Sequence, residues 1–223
     1  SVTDATTDED TQSTSGLVIS RNAADGAEVT YFKITGITNG TLYKNDGVTQ
    51  ITNGSFITVA EGTAGLKFTP DADFSGTGNF TIQASTSGND TGLGGSTTVA
   101  NVTVDAVNDA PVITGGPDSL GLTETDAGLT GSGSFTVSDV DTTDNVTAAV
   151  DSVSVGGTGS GSLPAGLDNN TLQSFLTVTP TAILDGTENS ATLAWNFNSG
   201  SEAFNFLATG ETLVLTYTVS ATD

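Results

Sequence analysis

The chain has no cysteine and no histidine among its 223 residues. That rules out a disulfide framework and a thiolate metal site, and it makes zinc or haem ligation improbable. It also removes the Ser-His-Asp triad, the Cys-His pair and any imidazole general base. The chain is therefore not expected to be an enzyme.

Cationic side chains are nearly missing as well. Arg21, Lys33, Lys44 and Lys67 stand against 26 acidic residues, for a net charge of −22. Phosphate contacts need Lys and Arg, so nucleic acid is not an expected partner. Long apolar runs are absent too: each is a few residues, against roughly 20 needed to cross a bilayer. No membrane insertion is expected. No basic-then-apolar leader opens the sequence, which reads as an excerpt of something longer.

What the chain does have is 28 glycines and an abundance of Thr, Ser, Val and Asn. This is a strand-and-turn composition. In the first half, strands are expected at Leu17–Ser20, Val29–Thr35, Thr41–Lys44, Ser55–Val59, Ala64–Thr69, Asn79–Ala84 and Thr98–Asp105. They are separated by turn chemistry such as Asn39-Gly40 and Asn45-Asp46-Gly47. About seven strands in about 110 residues is the rhythm of an immunoglobulin-like sandwich.

The second half repeats that rhythm at Gly133–Ser138, Val146–Val155, Leu172–Thr179, Ala191–Phe197 and Thr212–Ser220. Weaker strand candidates lie at Val112–Thr114 and Leu120–Thr123. The expected fold is all-β, with two tandem immunoglobulin/cadherin-like β-sandwich domains over residues 1–109 and 110–223. Trp195, the only tryptophan, is expected in the core.

Split at Ala110, the first half carries 13 acids and all four bases, and the second 13 acids and no base. Carboxylates without cationic partners either face water or share a bound cation. Calcium suits such a setting, because it takes six to eight hard oxygen ligands from carboxylates, carbonyls and water. In extended backbone Asp139 and Asp141 of DVD point to one face and Val140 to the other, into the core.

Three segments of the second half, GSFTVSDVD, ATLAWNFNSG and FNFLATGETLVLTYTVSATD, resemble the VCBS repeat of giant bacterial surface proteins. The first half is similar to the cadherin-like repeats found beside it, through DEDT, ITNGTLY, GLKFTPDADFSGTGNFTIQAS and VNDAPV. The RTX nonapeptide is missing, so no calcium β-roll is expected.

The resemblance implies extender modules of a long extracellular adhesin, exported by type I secretion to the cell surface and stiffened by Ca²⁺. Its partners would be neighbouring repeats of the same parent chain, and surface glycans reached through other domains, with the modules themselves monomeric. It also implies a ligand set of Asn108, Asp109, Asp139 and Asp141, with Glu9, Asp10, Asp71 and Asp73 from the first domain. The linker Asp105-Ala-Val-Asn108-Asp109-Ala110-Pro111 lacks the second Asn of the cadherin pattern and carries its first Asp one residue further away. Asp105 is therefore left out of the set, and one or two ions are expected.

Each motif has a plainer reading. DVD and DAD suit solvated turns, NDAP a polar joint, and Asp144-Asn145 an exposed turn. Two other functions compete with the extender: a glycan- or peptide-binding sandwich, and a glycosidase with paired carboxylates. With 14 aromatics, most at alternating core positions, the sequence offers little for the former.

Overall fold

The computed structural model describes residues 1–23 and 25–223. The chain is mostly β and folds as two compact units, Ser1–Val107 and Asn108–Asp223. The division falls two residues before the expected one, and within the second unit the Asn108 side-chain amide donates to Asp223 and the Asp109 N–H to Asp141.

The first unit contains β1 (Ala5–Asp8), β2 (Tyr31–Thr38), β3 (Gly40–Tyr43), β4 (Gln50–Ile51), β5 (Phe56–Thr58), β6 (Lys67–Pro70), β7 (Gly76–Ser85) and β8 (Leu93–Asp105). One sheet runs β1-β8-β7-β2-β5 and the other β4-β3-β6. Their inner faces meet in one core, with Phe32, Ile34, Phe80, Ala100 and Val102 from the first sheet packed on Leu42, Ile51 and Phe68 from the second. Alternation puts these residues inside, and each large apolar side chain fully buried contributes about 1.5–3 kcal/mol.

A single-turn helix, α1 (Val59–Thr63), follows β5 because Thr58 and Glu61 form a reciprocal capping box. Leu17–Ser20 is not a strand. Leu17 has φ of 51°, and Ile19 makes only an isolated bridge to Val2. Both side chains are nevertheless buried, so the apolar alternation there marks burial without sheet pairing. Ala5–Asp8 lacks a large apolar residue, yet it pairs in parallel with β8.

The second unit contains β9 (Val112–Thr114), β10 (Thr130–Ser138), β11 (Thr147–Gly156), β12 (Leu176–Thr179), β13 (Ser190–Asn198) and β14 (Val214–Thr222). Its sheets are β12-β13-β10-β9 and β11-β14. Val137, Leu193, Trp195 and Phe197 form the core against Ala148 and the half-buried Leu215, Tyr217 and Val219. Phe175, Phe197, Phe204 and Tyr217 meet edge to face.

Leu172–Thr179 is not one strand. Asp168 accepts hydrogen bonds from the N–H and hydroxyl of Thr171, which caps a short helix, α2 (Asn169–Gln173), and leaves only Leu176–Thr179 to the sheet. Leu172 points from that helix into a fully buried site. Leu120–Thr123 forms no strand, and Leu120 and Leu122 are exposed.

Strand register defines one pole of this unit. Val112, at the start of β9, lies opposite Ser138, at the end of β10. Ser138 in turn faces Ser190 of β13, and Thr147, starting β11, faces Thr222 at the end of β14. The segment before β9, the β10–β11 connection and the residue after β14 thus converge.

Candidate metal centre

The convergent pole of the second unit is acidic. Asp139, just after β10, is 4% exposed, and its Oδ1 accepts the N–H of Asp141 at 3.0 Å. Its N–H donates to the Asn189 carbonyl at 3.0 Å, which holds the residue against the β13 side. Asp144 closes the turn by donating its N–H to the Asp141 carbonyl at 3.0 Å. Asp223 follows β14 directly.

Oxygens of Asp139, Asp144 and Asp223 lie within 4.8 Å of one another. Two of the oxygens at this pole, Asp139 Oδ2 and Asp144 Oδ2, are buried and have no hydrogen-bond donor. A buried carboxylate oxygen without a donor loses hydration with no compensation, and neighbouring anions raise the cost. Asp144 responds with a raised pKa, caused first by desolvation and then by the charges of Asp141, Asp139 and Asp223. No Lys or Arg lies between residues 108 and 223, so no cationic side chain of the unit offsets these charges.

Asp141 and Asn108 form the rim. Asp141 Oδ2 accepts the backbone N–H of Asp109 at 2.6 Å, and Asn108 Nδ2 donates to Asp223 Oδ2 at 2.6 Å. The expectation for DVD needs correction here. Residues 139–141 bend instead of extending, Val140 is 51% exposed rather than in the core, and Asp141 turns to the Asp109 amide. Asp139 therefore groups with Asp144 and Asp223, neither of which was among the expected ligands, and Asp144 is no exposed turn residue. The third acid of DVDTTD was the available hint for Asp144.

The first-unit candidates divide, with Asp10 and Asp73 brought together and Glu9 and Asp71 engaged elsewhere. Glu9 is buried, but its Oε1 accepts the Val107 N–H at 2.7 Å while its own N–H donates to the Asp105 carbonyl at 2.9 Å. These bonds latch the end of the β1–β8 pair. Asp10 and Asp73 do meet, with the Asp73 N–H donating to Asp10 Oδ1 at 3.3 Å, and both are exposed with positive φ. Asp71 is an exposed turn residue whose carbonyl accepts the Phe74 N–H. A depression of about 300 Å³ on this unit, lined by Phe32, Ile82 and Asp25 among others, contains none of the expected ligands.

The donor set at the second-unit pole consists of hard oxygens, three carboxylates with a fourth at the rim. It fits calcium in kind, whereas soft-ligand metals find nothing here. Asp139, Asp144 and Asp223 would hold the ion, with Asp141 beside them.

No protein-family model matches the chain, and no curated protein matches it. Among solved structures it is similar to the CsuC-CsuE chaperone-tip adhesion subunit pre-assembly complex from archaic chaperone-usher Csu pili of Acinetobacter baumannii. That match has 10% identity, covers 98% of this chain and 99% of the other, and has a TM-score of 0.34. The S-layer protein rSbsC(31-844) matches at 16% identity over 89% of this chain and 28% of its own, with a TM-score of 0.23. A Parabacteroides merdae β-glucuronidase matches at 7% identity over 84% and 21%, with a TM-score of 0.17. All three scores fall below 0.5, and the acidic pole is read from its own residues.

Proposed function

We propose that the chain is a pair of non-catalytic, calcium-stabilised extender modules from the stalk of a large extracellular adhesin, carried on a cell surface and flanked by further repeats. The observation that carries the calcium reading is the pair of buried, donorless oxygens on Asp139 and Asp144 in a unit without Lys or Arg. The adhesin reading draws its support from the VCBS-like and cadherin-like motifs and from the tandem sandwiches.

Bound calcium supplies positive charge and accepts hard oxygen ligands. Asp139 and Asp144 present the end of β10 and its turn, Asp223 presents the end of β14, and Asp141 holds the segment before β9 through the Asp109 amide. Separate stretches of chain are thus tied at one pole. Binding that favours the folded state raises stability by mass action.

The test is a thermal melt of the chain followed by Trp195 fluorescence, which reports the second unit, in millimolar calcium and in chelator. Calcium raises the midpoint and magnesium does so far less, because magnesium gives up its waters reluctantly. An unchanged midpoint sinks the calcium reading. Labelling of intact producing cells with an antibody to the chain tests the surface location, and signal found only after lysis removes it.

A further inference from the structure

The five-stranded sheet of the first unit and the two-stranded sheet of the second differ in how their long strands are flanked. In the first unit β7 is paired on both edges, with β2 on one side and β8 on the other. In the second unit β14 pairs with β11 alone, and among the described residues no strand is paired to its other edge. The inner face beside that edge is under-covered. Leu215, Tyr217, Val219 and Ala221 of β14 and Ile113 of β9 are only half-buried, while Ala100, Val102 and Val104 of β8 are fully buried in the first unit.

The edge also lacks the usual protection. Sheet edges left to solvent are blunted by charges, prolines or bulges. The sequence of β14, VLTYTVSAT, has no charge and no proline, and the bulge at Val150/Ser152 lies in β11, on its paired side. Residues 108–223 carry 14 acids and no base, so two copies brought edge to edge would repel each other, and an acidic strand is disfavoured for the same reason.

We propose that the open edge of β14 is a receptor for one β-strand. The strand runs antiparallel to β14, is uncharged, and turns small or β-branched side chains inward as Ala100, Val102 and Val104 do. It comes from the same polypeptide, joined to β14 by a hairpin, as β8 is joined to β7. A hairpin connection gives such a strand an effective concentration on the order of millimolar, which a free segment does not have. It would pair with the free backbone groups of β14 and cover Tyr217 and Val219. The metal reading is not needed for this, so the two stand or fall separately.

The experiment extends the chain past Asp223 by a short Asn-Gly turn and a copy of residues 97–104, TTVANVTV. A control extension carries Glu at the positions copied from Ala100 and Val102. Hydrogen exchange of β14 amides and the Trp195 melt are read in chelator and in calcium, with sedimentation to fix the oligomeric state. The matched extension should slow β14 exchange by about tenfold or more and raise the melt, and the Glu-bearing one should do neither. The free peptide should act only at far higher concentration.

Equal behaviour of the two extensions overturns the proposal. So does a dimer of the unextended chain with protected β14 amides, which gives the edge to a second copy. A free peptide that protects β14 at micromolar concentration overturns the hairpin source.

Discussion

Asn108 and Asp223, 115 residues apart, meet at 2.6 Å, the side-chain amide donating to Asp223 Oδ2. The bond closes the carboxylate pole from the N-terminal side. Both residues are exposed, so Asn108→Ala should lower the second unit's stability in chelator by only about 1 kcal/mol or less. Asn108→Asp should act with opposite signs in the two states. It adds a fifth acid to the pole and destabilises it in chelator, yet it offers calcium another oxygen and enlarges the calcium-induced rise in the Trp195 melt. A rise no larger than that of the unmodified chain counts against a metal at this pole.

Asp139→Asn and Asp144→Asn should each stabilise the ion-free second unit and raise its melting midpoint in chelator, because each removes a charge and adds a donor where two oxygens lack one. The same variants should lose most of the calcium response. Glu188→Gln, an exposed acid, makes the same change in net charge and should leave both quantities within about 0.5 kcal/mol. Chelator and calcium melts of the three variants decide the matter, and equal effects from all three would reduce it to bulk charge.

The pH dependences that Asp144 gives the second unit and Asp46 gives the first should differ in sign. Desolvation, then Asp141, Asp139 and Asp223, raise Asp144 above its ordinary 3.8. A carboxyl raised in the folded state takes up a proton that the unfolded chain does not hold, so stability falls as pH rises through that window. The ion-free second unit should therefore gain stability as pH drops from neutral through the raised pKa, and the gain is complete below 3.8.

Asp46 works the other way. The Thr49 hydroxyl, then the Thr49 and Val48 N–H groups, hold it at about 2. Its contribution to the first unit is present above 3.8 and lost as pH falls through about 2. The Trp195 transition in chelator should accordingly rise on mild acidification, Asp144→Asn should flatten that rise, and calcium should reverse it through competition with protons. A transition that falls on mild acidification contradicts the burial assigned to Asp144.

Gly133 stands directly opposite Trp195 in the β10–β13 register, and the indole lies over it, with Nε1–H donating to Asp118 Oδ2 at 3.1 Å. A Cβ at Gly133 would come within 2.5 Å of the ring and 2.6 Å of that oxygen. Gly133→Ala should cost about 1–3 kcal/mol through overpacking, with a red-shifted emission. Gly161→Ala, at a position with nothing within 4 Å, should stay within about 0.5 kcal/mol. Equal urea midpoints for the two variants would show that the indole yields freely.

The all-β class and the central strands were legible because Phe32, Ile34, Phe80 and Ile82, like Leu193, Trp195 and Phe197, alternate with polar neighbours. Alternation reports burial, and pairing is a separate matter. Leu17 and Ile19 are buried without a ladder, and the ladder of Ala5–Asp8 carries little apolar weight. At the site, Asp139 was legible from DVD, but its partners were not. Asp144 and Asp223 meet only because β11 and β14 pair Thr147 with Thr222, a long-range register that leaves no local trace. The extended reading of DVD failed because the Asp139 carboxylate captures the Asp141 N–H and bends the chain.

The four cations are confined to the first unit and engaged there: Arg21 with the Val29 carbonyl, Lys33 with Asp90, Lys44 with Glu61 and Lys67 with the Thr14 carbonyl. Trypsin, which cuts after Lys and Arg, finds no site between Lys67 and Asp223. Even in the denatured chain it leaves residues 68–223 uncut, a stretch too long for routine peptide mapping. Digestion at acidic residues is the way to map this protein by mass.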